Sequence, residues 1–126
     1  VIERVNARAL RAEQLPYAPD MIVVDVSFIS LTKVLPAVLA CAAQRFDCLA
    51  MVKPQFEVGR ERIGKGGVVR DPVLRREAVA TVADAAPAAV MGSAPSALEG
   101  PSGNRETFLW LAEEGRPGAV SEVEAW

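Results

Sequence analysis

The chain of 126 residues contains no histidine. Ser-His-Asp and Cys-His nucleophile activation are therefore excluded within it, as are all histidine-based metal sites. Proton transfer falls to lysine, aspartate, glutamate or tyrosine. Cysteine is scarce: Cys41 and Cys48 are the two present, and they do not form a Cys-x-x-Cys pair. Two thiols make no disulfide framework and read as small buried apolar residues in a reducing cytoplasm. A surplus of positive charge is also lacking, since the formal net charge is -2. A globally basic nucleic-acid-binding surface is excluded, and any grip on RNA needs a local basic patch or a separate domain. No apolar run reaches the length of a membrane span. Residues 34–43 are largely apolar but stop at Gln44 and Arg45, as a core helix does. No membrane association and a cytoplasmic location are expected.

The sequence carries the composition of a folded domain, with 51% hydrophobic and 24% charged residues. Met21 to Val24 form a β-branched apolar run that ends at Asp25. Without polar alternation, it reads as a strand buried on both faces. A turn from Ser27 to Ser30 precedes a helix over 31–43, with Ser30 as N-cap and Leu31, Val34, Leu35, Val38 and Leu39 on one face. Phe46 to Val52 read as a second strand, closed by Lys53-Pro54 because Pro54 has no N–H for the ladder. A charged, glycine-containing loop follows over 55–67. Asp71-Pro72 opens a second helix that runs to about Ala86. A weaker strand starts at Ala89. The Gly100–Asn104 turn and a last strand over 106–112 predict an antiparallel pair. Val1 to Glu3 are expected as one more short strand, followed by a helical or irregular link over 7–14. Residues 113–126 show no periodicity and are expected to fray.

This alternation predicts an α/β fold with a mainly parallel sheet and an antiparallel edge hairpin. Ligands of such sheets bind beyond the carboxyl ends of the strands. Asn6, Asp25 and Lys53 fall there. Asn6 reads equally well as the polar residue that resumes after a strand. Asp25 and Lys53 together favour a site. The loop cations Arg60, Arg62, Lys65 and Arg70 read as a solvated basic loop at least as well as an RNA contact. Phe56 and Trp110 read as packing residues.

Several ordered strings carry a resemblance. They are Glu3 to Arg8, Val24 to Leu31, Val52 to Gly59, Gly64 to Pro72 and Gly100 to Glu106. The chain resembles the TlyA (haemolysin A) family of FtsJ-like RNA ribose 2′-O-methyltransferases over nearly its whole length, to about Leu111. The resemblance implies a Rossmann-like fold, S-adenosylmethionine as cofactor, and ribosomal RNA or a ribosomal subunit as partner. It implies catalytic roles for Asp25, Lys53 and Glu106 in a Lys-Asp-Lys-Glu tetrad whose first lysine matches no residue of the chain. It places Asn6, Asp25, Ser27 and Phe28 at the cofactor.

The glycine-rich turn that opens the family's cofactor site is not among these residues, nor is its S4-like RNA-binding domain. Residues 1–112 are therefore expected to be the C-terminal part of a catalytic domain, inactive if alone. A part-sheet is expected to expose an edge and an apolar face, through which a homodimer is one outcome. Three other readings stay open at this point: a non-catalytic module of the same fold, a membrane-active protein, and a methyltransferase of messenger or transfer RNA.

Overall fold

The computed structural model describes residues 1–126, residue 101 by its backbone alone. Four strands, β1 (Met21–Val24), β2 (Asp47–Val52), β3 (Ala89–Pro95) and β4 (Thr107–Ala112), and two helices, α1 (Leu31–Ala40) and α2 (Pro72–Ala85), follow one another as β1-α1-β2-α2-β3-β4. The sheet order is β1-β2-β4-β3. β1 and β2 run parallel, and β4 is antiparallel to both of its neighbours. The β3–β4 hairpin thus sits at one end of the sheet, with β4 as its inner member.

Both helices share one core. Leu31, Val34, Leu35 and Leu39 of α1 and Ala78, Val79 and Val82 of α2 are buried against Cys48, Ala50, Val52, Leu109 and Leu111. Alternation along β2 and β4 makes this possible, because every second side chain faces the helices. Cys48 is fully buried, and burial pushes its thiol up to about 11. This is the inert thiol that the sequence suggested.

The opposite face is open. Val23, Leu49 and Trp110 lie in one row across β1, β2 and β4, and Val23 is 65% exposed and Trp110 40%. Two expectations change here. β1 is buried on one face only, and Trp110 is not core. Leu109 and Leu111 occupy the helix side, so a residue between them must point away. Trp110 instead donates its indole N–H to Asp47 Oδ1 at 2.9 Å.

The N-terminal expectation also changes. Residues 1–3 form no strand; the chain enters through short 3₁₀ turns at Ala7–Ala9 and Ala12–Gln14. Residues 113–126 contain no helix or strand but are tied at several points. Arg116 pairs with Asp47 and Glu113 at 2.5 and 2.6 Å. Val120 N donates to Val90 O, Glu124 bonds Ser93, and Trp126 N donates to Thr107 Oγ1. The segment covers the free edge of β3. Its side chain-to-main chain bonds have no periodic signature in sequence.

Candidate active site

β1 and β2 are parallel neighbours, so their carboxyl ends bring Asp25 and Lys53 side by side. Lys53 Nζ lies 2.5 Å from Asp25 Oδ1 and donates to Ser27 Oγ at 3.1 Å. The lysine side chain is 12% exposed and the aspartate side chain 59%. The ammonium is thus held inside a cleft while the carboxylate faces outward. The cleft has a volume of about 410 Å³, and its walls include Ser27, Phe28, Lys53, Gln55, Phe56 and Asn104.

Glu106 reaches this region by a different route. It is 5% exposed, just before β4, and accepts from Gln55 Nε2 at 3.1 Å. Gln55 lines the cleft two residues after Lys53, so one side chain links the glutamate to the lysine's wall. Gly100 packs against the Glu106 carboxylate so closely that a Cβ there would sit 2.6 Å from it. The absence of a side chain at position 100 is what leaves room for Glu106 to be buried.

Phe28 has a left-handed backbone, with φ 65°, which is strained for a residue with a side chain. The residue is 90% exposed, and its ring meets that of Phe56 in a tilted contact, with centroids 5.0 Å apart and 52° between the planes. Sequence gave no sign of that backbone geometry. Asn6 is not gathered into the cleft. It caps the Ala7–Ala9 turn, its Oδ1 accepting from Arg8 N at 3.0 Å.

Two residues that organise the site carried no signal in sequence. Glu57 crosses back from the loop after β2 to the start of α1. Its carboxylate accepts from Leu31 N at 2.8 Å and from Ser30 Oγ at 2.6 Å. It reinforces the expected Ser30 cap, whose Oγ accepts from Thr32 N, and ties together the loops that carry Asp25 and Lys53. Asn104, 2% exposed, ties the other wall: Oδ1 accepts from Val69 N and Nδ2 donates to Gly67 O. In sequence Glu57 was one charge among several in a loop, and Asn104 one polar residue in a turn.

Burial raises the Glu57 carboxyl, against the hydrogen bonds from Ser30 and Leu31 that lower it. The folded protein therefore holds this proton more tightly than the unfolded chain. That contribution is present at low pH and is lost as pH rises through the folded-state value. At neutral pH the useful part of Glu57 is its two acceptor oxygens, of which glutamine retains one, enough for Leu31 N. Glu57→Ala is expected to cost about 1–2 kcal/mol by leaving an α1 N–H unpaired, and Glu57→Gln markedly less. Urea unfolding of the two variants at pH 7 checks this; equal losses would contradict it.

Comparison with known proteins agrees with the geometry. The family model of FtsJ-like methyltransferases matches residues 1–113. The chain belongs to the FtsJ-like methyltransferase family. It is 50% identical over 114 residues to the 16S/23S rRNA (cytidine-2′-O)-methyltransferase TlyA of Mycobacterium tuberculosis, covering 88% of this chain and 42% of that protein. It is 39% identical over 115 residues to YqxC of Bacillus subtilis, provisionally named an rRNA methyltransferase, covering 88% and 41%. A solved structure from Lactococcus lactis, of a protein provisionally named a hemolysin, superposes with a TM-score of 0.90 at 30% identity. It covers 98% of this chain and 61% of that one. The chain thus spans about two fifths of the length of the curated relatives that it matches. Among the described residues no helix is long and apolar enough to cross a membrane.

Proposed function

We propose that the protein carrying this chain methylates a ribose 2′-hydroxyl of ribosomal RNA, with Lys53 at the reacting centre and Asp25 and Glu106 beside it. The observation that carries this reading is the contact of Lys53 with Asp25 and Ser27 at the carboxyl ends of two parallel strands. The likeness to an rRNA (cytidine-2′-O)-methyltransferase supports the substrate class.

A ribose hydroxyl is a weak nucleophile until its proton is taken. In its neutral form, after loss of one ammonium proton to solvent, Lys53 Nζ takes the hydroxyl proton as the methyl group is transferred to the ribose oxygen. Asp25 and Ser27 fix the position of the Nζ. Glu106 lies behind the cleft wall and acts on the ribose through Gln55, whose amide it accepts from. S-adenosylmethionine, when bound, supplies an electrophilic methyl group.

The residues present fit one wall of a site for that cofactor. Asp25 offers a half-exposed carboxylate to a cationic ligand, Ser27 a hydroxyl, and Phe28 an exposed ring face to a flat one. Asn6 stands apart from this wall, so its proposed contact with the adenine rests on the resemblance alone. A ribosomal substrate fits a cytoplasmic enzyme. No observation supports a homodimer through the open sheet face, and none is proposed.

The test is transfer of labelled methyl groups from S-adenosylmethionine to ribosomal RNA by the purified full-length protein that carries this chain. Label is expected in RNA. Its absence, with folded protein and intact RNA, would overturn the reading.

A further inference from the structure

The loops over 64–70 and 99–105 frame the Lys53 cleft on one side and turn a second surface outward. Arg70, Arg75 and Arg105 line a separate cleft there, of about 460 Å³, together with Glu99 and Ser102. Ser102 lines both clefts, so the two are contiguous.

Arg75 is the unusual member. It is 7% exposed. Its Nε donates to Trp126 O at 2.7 Å, and Nη1 donates to Arg70 O at 2.7 Å and Val69 O at 3.4 Å. All three acceptors are main-chain oxygens, the first that of residue 126, so Arg75 is a cation fixed in place from within the fold. Burial and then the charge of Arg105 weigh against the charged form of Arg75, with only Asp71 opposing.

Arg70 is exposed, and its Nη1 donates to Lys65 O. Arg105 lies 3.8 Å from Glu99, a pair in which both side chains are about half exposed, and its guanidinium stands over the Trp126 ring at 5.5 Å. Three arginines thus face one cleft that holds a single, loosely paired carboxylate, on a chain whose net charge is negative. Planar guanidinium forks match the oxygens of a phosphodiester.

We propose that this cleft binds a backbone phosphate of the RNA strand whose ribose enters the Lys53 cleft. The inference rests on the RNA reading above and adds to it the path that the strand takes, past Ser102 toward Arg70 and Arg105. The charge missing from the whole-chain balance is supplied locally, by residues brought together from two loops and α2.

The test uses the full-length protein that carries this chain, and ribosomal RNA, with binding measured by anisotropy across a salt series. Arg70→Gln combined with Arg105→Gln removes two cations and leaves Arg75 to its structural bonds. Affinity is expected to fall about tenfold or more near ~100 mM salt, with a log–log salt slope shallower by about 1–2. Glu99→Gln removes the competing carboxylate and is expected to tighten binding. A merely structural role for the patch would not give opposite signs. Unchanged affinity and slope in both proteins would overturn the proposal. So would weaker binding with an unchanged slope, or Glu99→Gln weakening it. Loss of methyl transfer with RNA affinity intact would bear on Lys53 and leave this cleft standing. A full-length protein that binds no RNA overturns both readings together.

Discussion

Lys53→Met in the full-length protein is expected to lower the rate of methyl transfer by about 10²–10⁴-fold, the range for loss of a positioned proton acceptor. Methionine keeps the length and the apolar stem, so the wall of the cleft survives while the Nζ that meets Asp25 and Ser27 is gone. The loss should fall on kcat, with RNA affinity little changed, because Lys53 is buried in the cleft and is a small part of any phosphate-binding surface. Lys53→Arg is the sharper comparison. It keeps a positive charge, but arginine does not give up its proton near neutral pH. If Lys53 acts only as a fixed charge, Lys53→Arg should retain much of the rate. If it accepts the ribose proton, Lys53→Arg should be nearly as slow as Lys53→Met. Single-turnover methylation kinetics separate the two, and full activity in Lys53→Arg would remove Lys53 as the base.

The second large effect concerns the fold that places these groups. Leu109 is fully buried in β4, opposite Ala50 of β2 and Ser93 of β3, and faces the helices. It is held on both sides of its strand, so little can move in to fill a cavity there. Leu109→Ala is expected to cost about 3–5 kcal/mol, in the upper part of the range for buried leucine truncations. Domains are stable by only about 5–15 kcal/mol, so this one change removes a large share. The neighbouring Trp110 points to the open face, and Trp110→Ala in the isolated chain should cost much less. Denaturant midpoints of the two variants test the assignment of faces; the reverse order would contradict it.

The contrast between those two neighbours shows where sequence reasoning held. A β-branched run marked β1 and a largely apolar one β2, and the polar residues that ended them marked Asp25 and Lys53. Ser30 and Asp71 were legible as caps because capping chemistry is local: each accepts from a backbone N–H two residues ahead. Trp110 was misread as packing, because parity turns it to the open face once Leu109 and Leu111 take the helix side. The exposure of β1 was not legible, because an apolar run reads as buried whether or not a layer covers its second face.

What stayed hidden in the site depends on long-range pairing. Glu57 caps a helix that begins 26 residues earlier, and Asn104 joins loops 35 residues apart. Gln55 meets Glu106 across 51 positions. Nothing in local composition marks such partners. The tail is the clearest case. Glu113 is held well below the ordinary carboxylate range, at about 2, first by its bonds to Arg116. Its contribution to stability is present above the unfolded value near 4.5 and lost as pH falls toward 2. A segment that reads as frayed from its glycines and charges is tied to β2 by Arg116, which that pair orients onto Asp47.

The central claim is that the Lys53 cleft acts on a ribose hydroxyl and not on a base. Alkaline hydrolysis of ribosomal RNA labelled by the full-length protein from methyl-labelled S-adenosylmethionine tests it most directly, because alkali cleaves next to a free 2′-hydroxyl and spares a 2′-O-methyl linkage. The account predicts label in alkali-stable dinucleotides, absent from RNA treated with the Lys53→Met protein. Label released entirely in mononucleotides would contradict it.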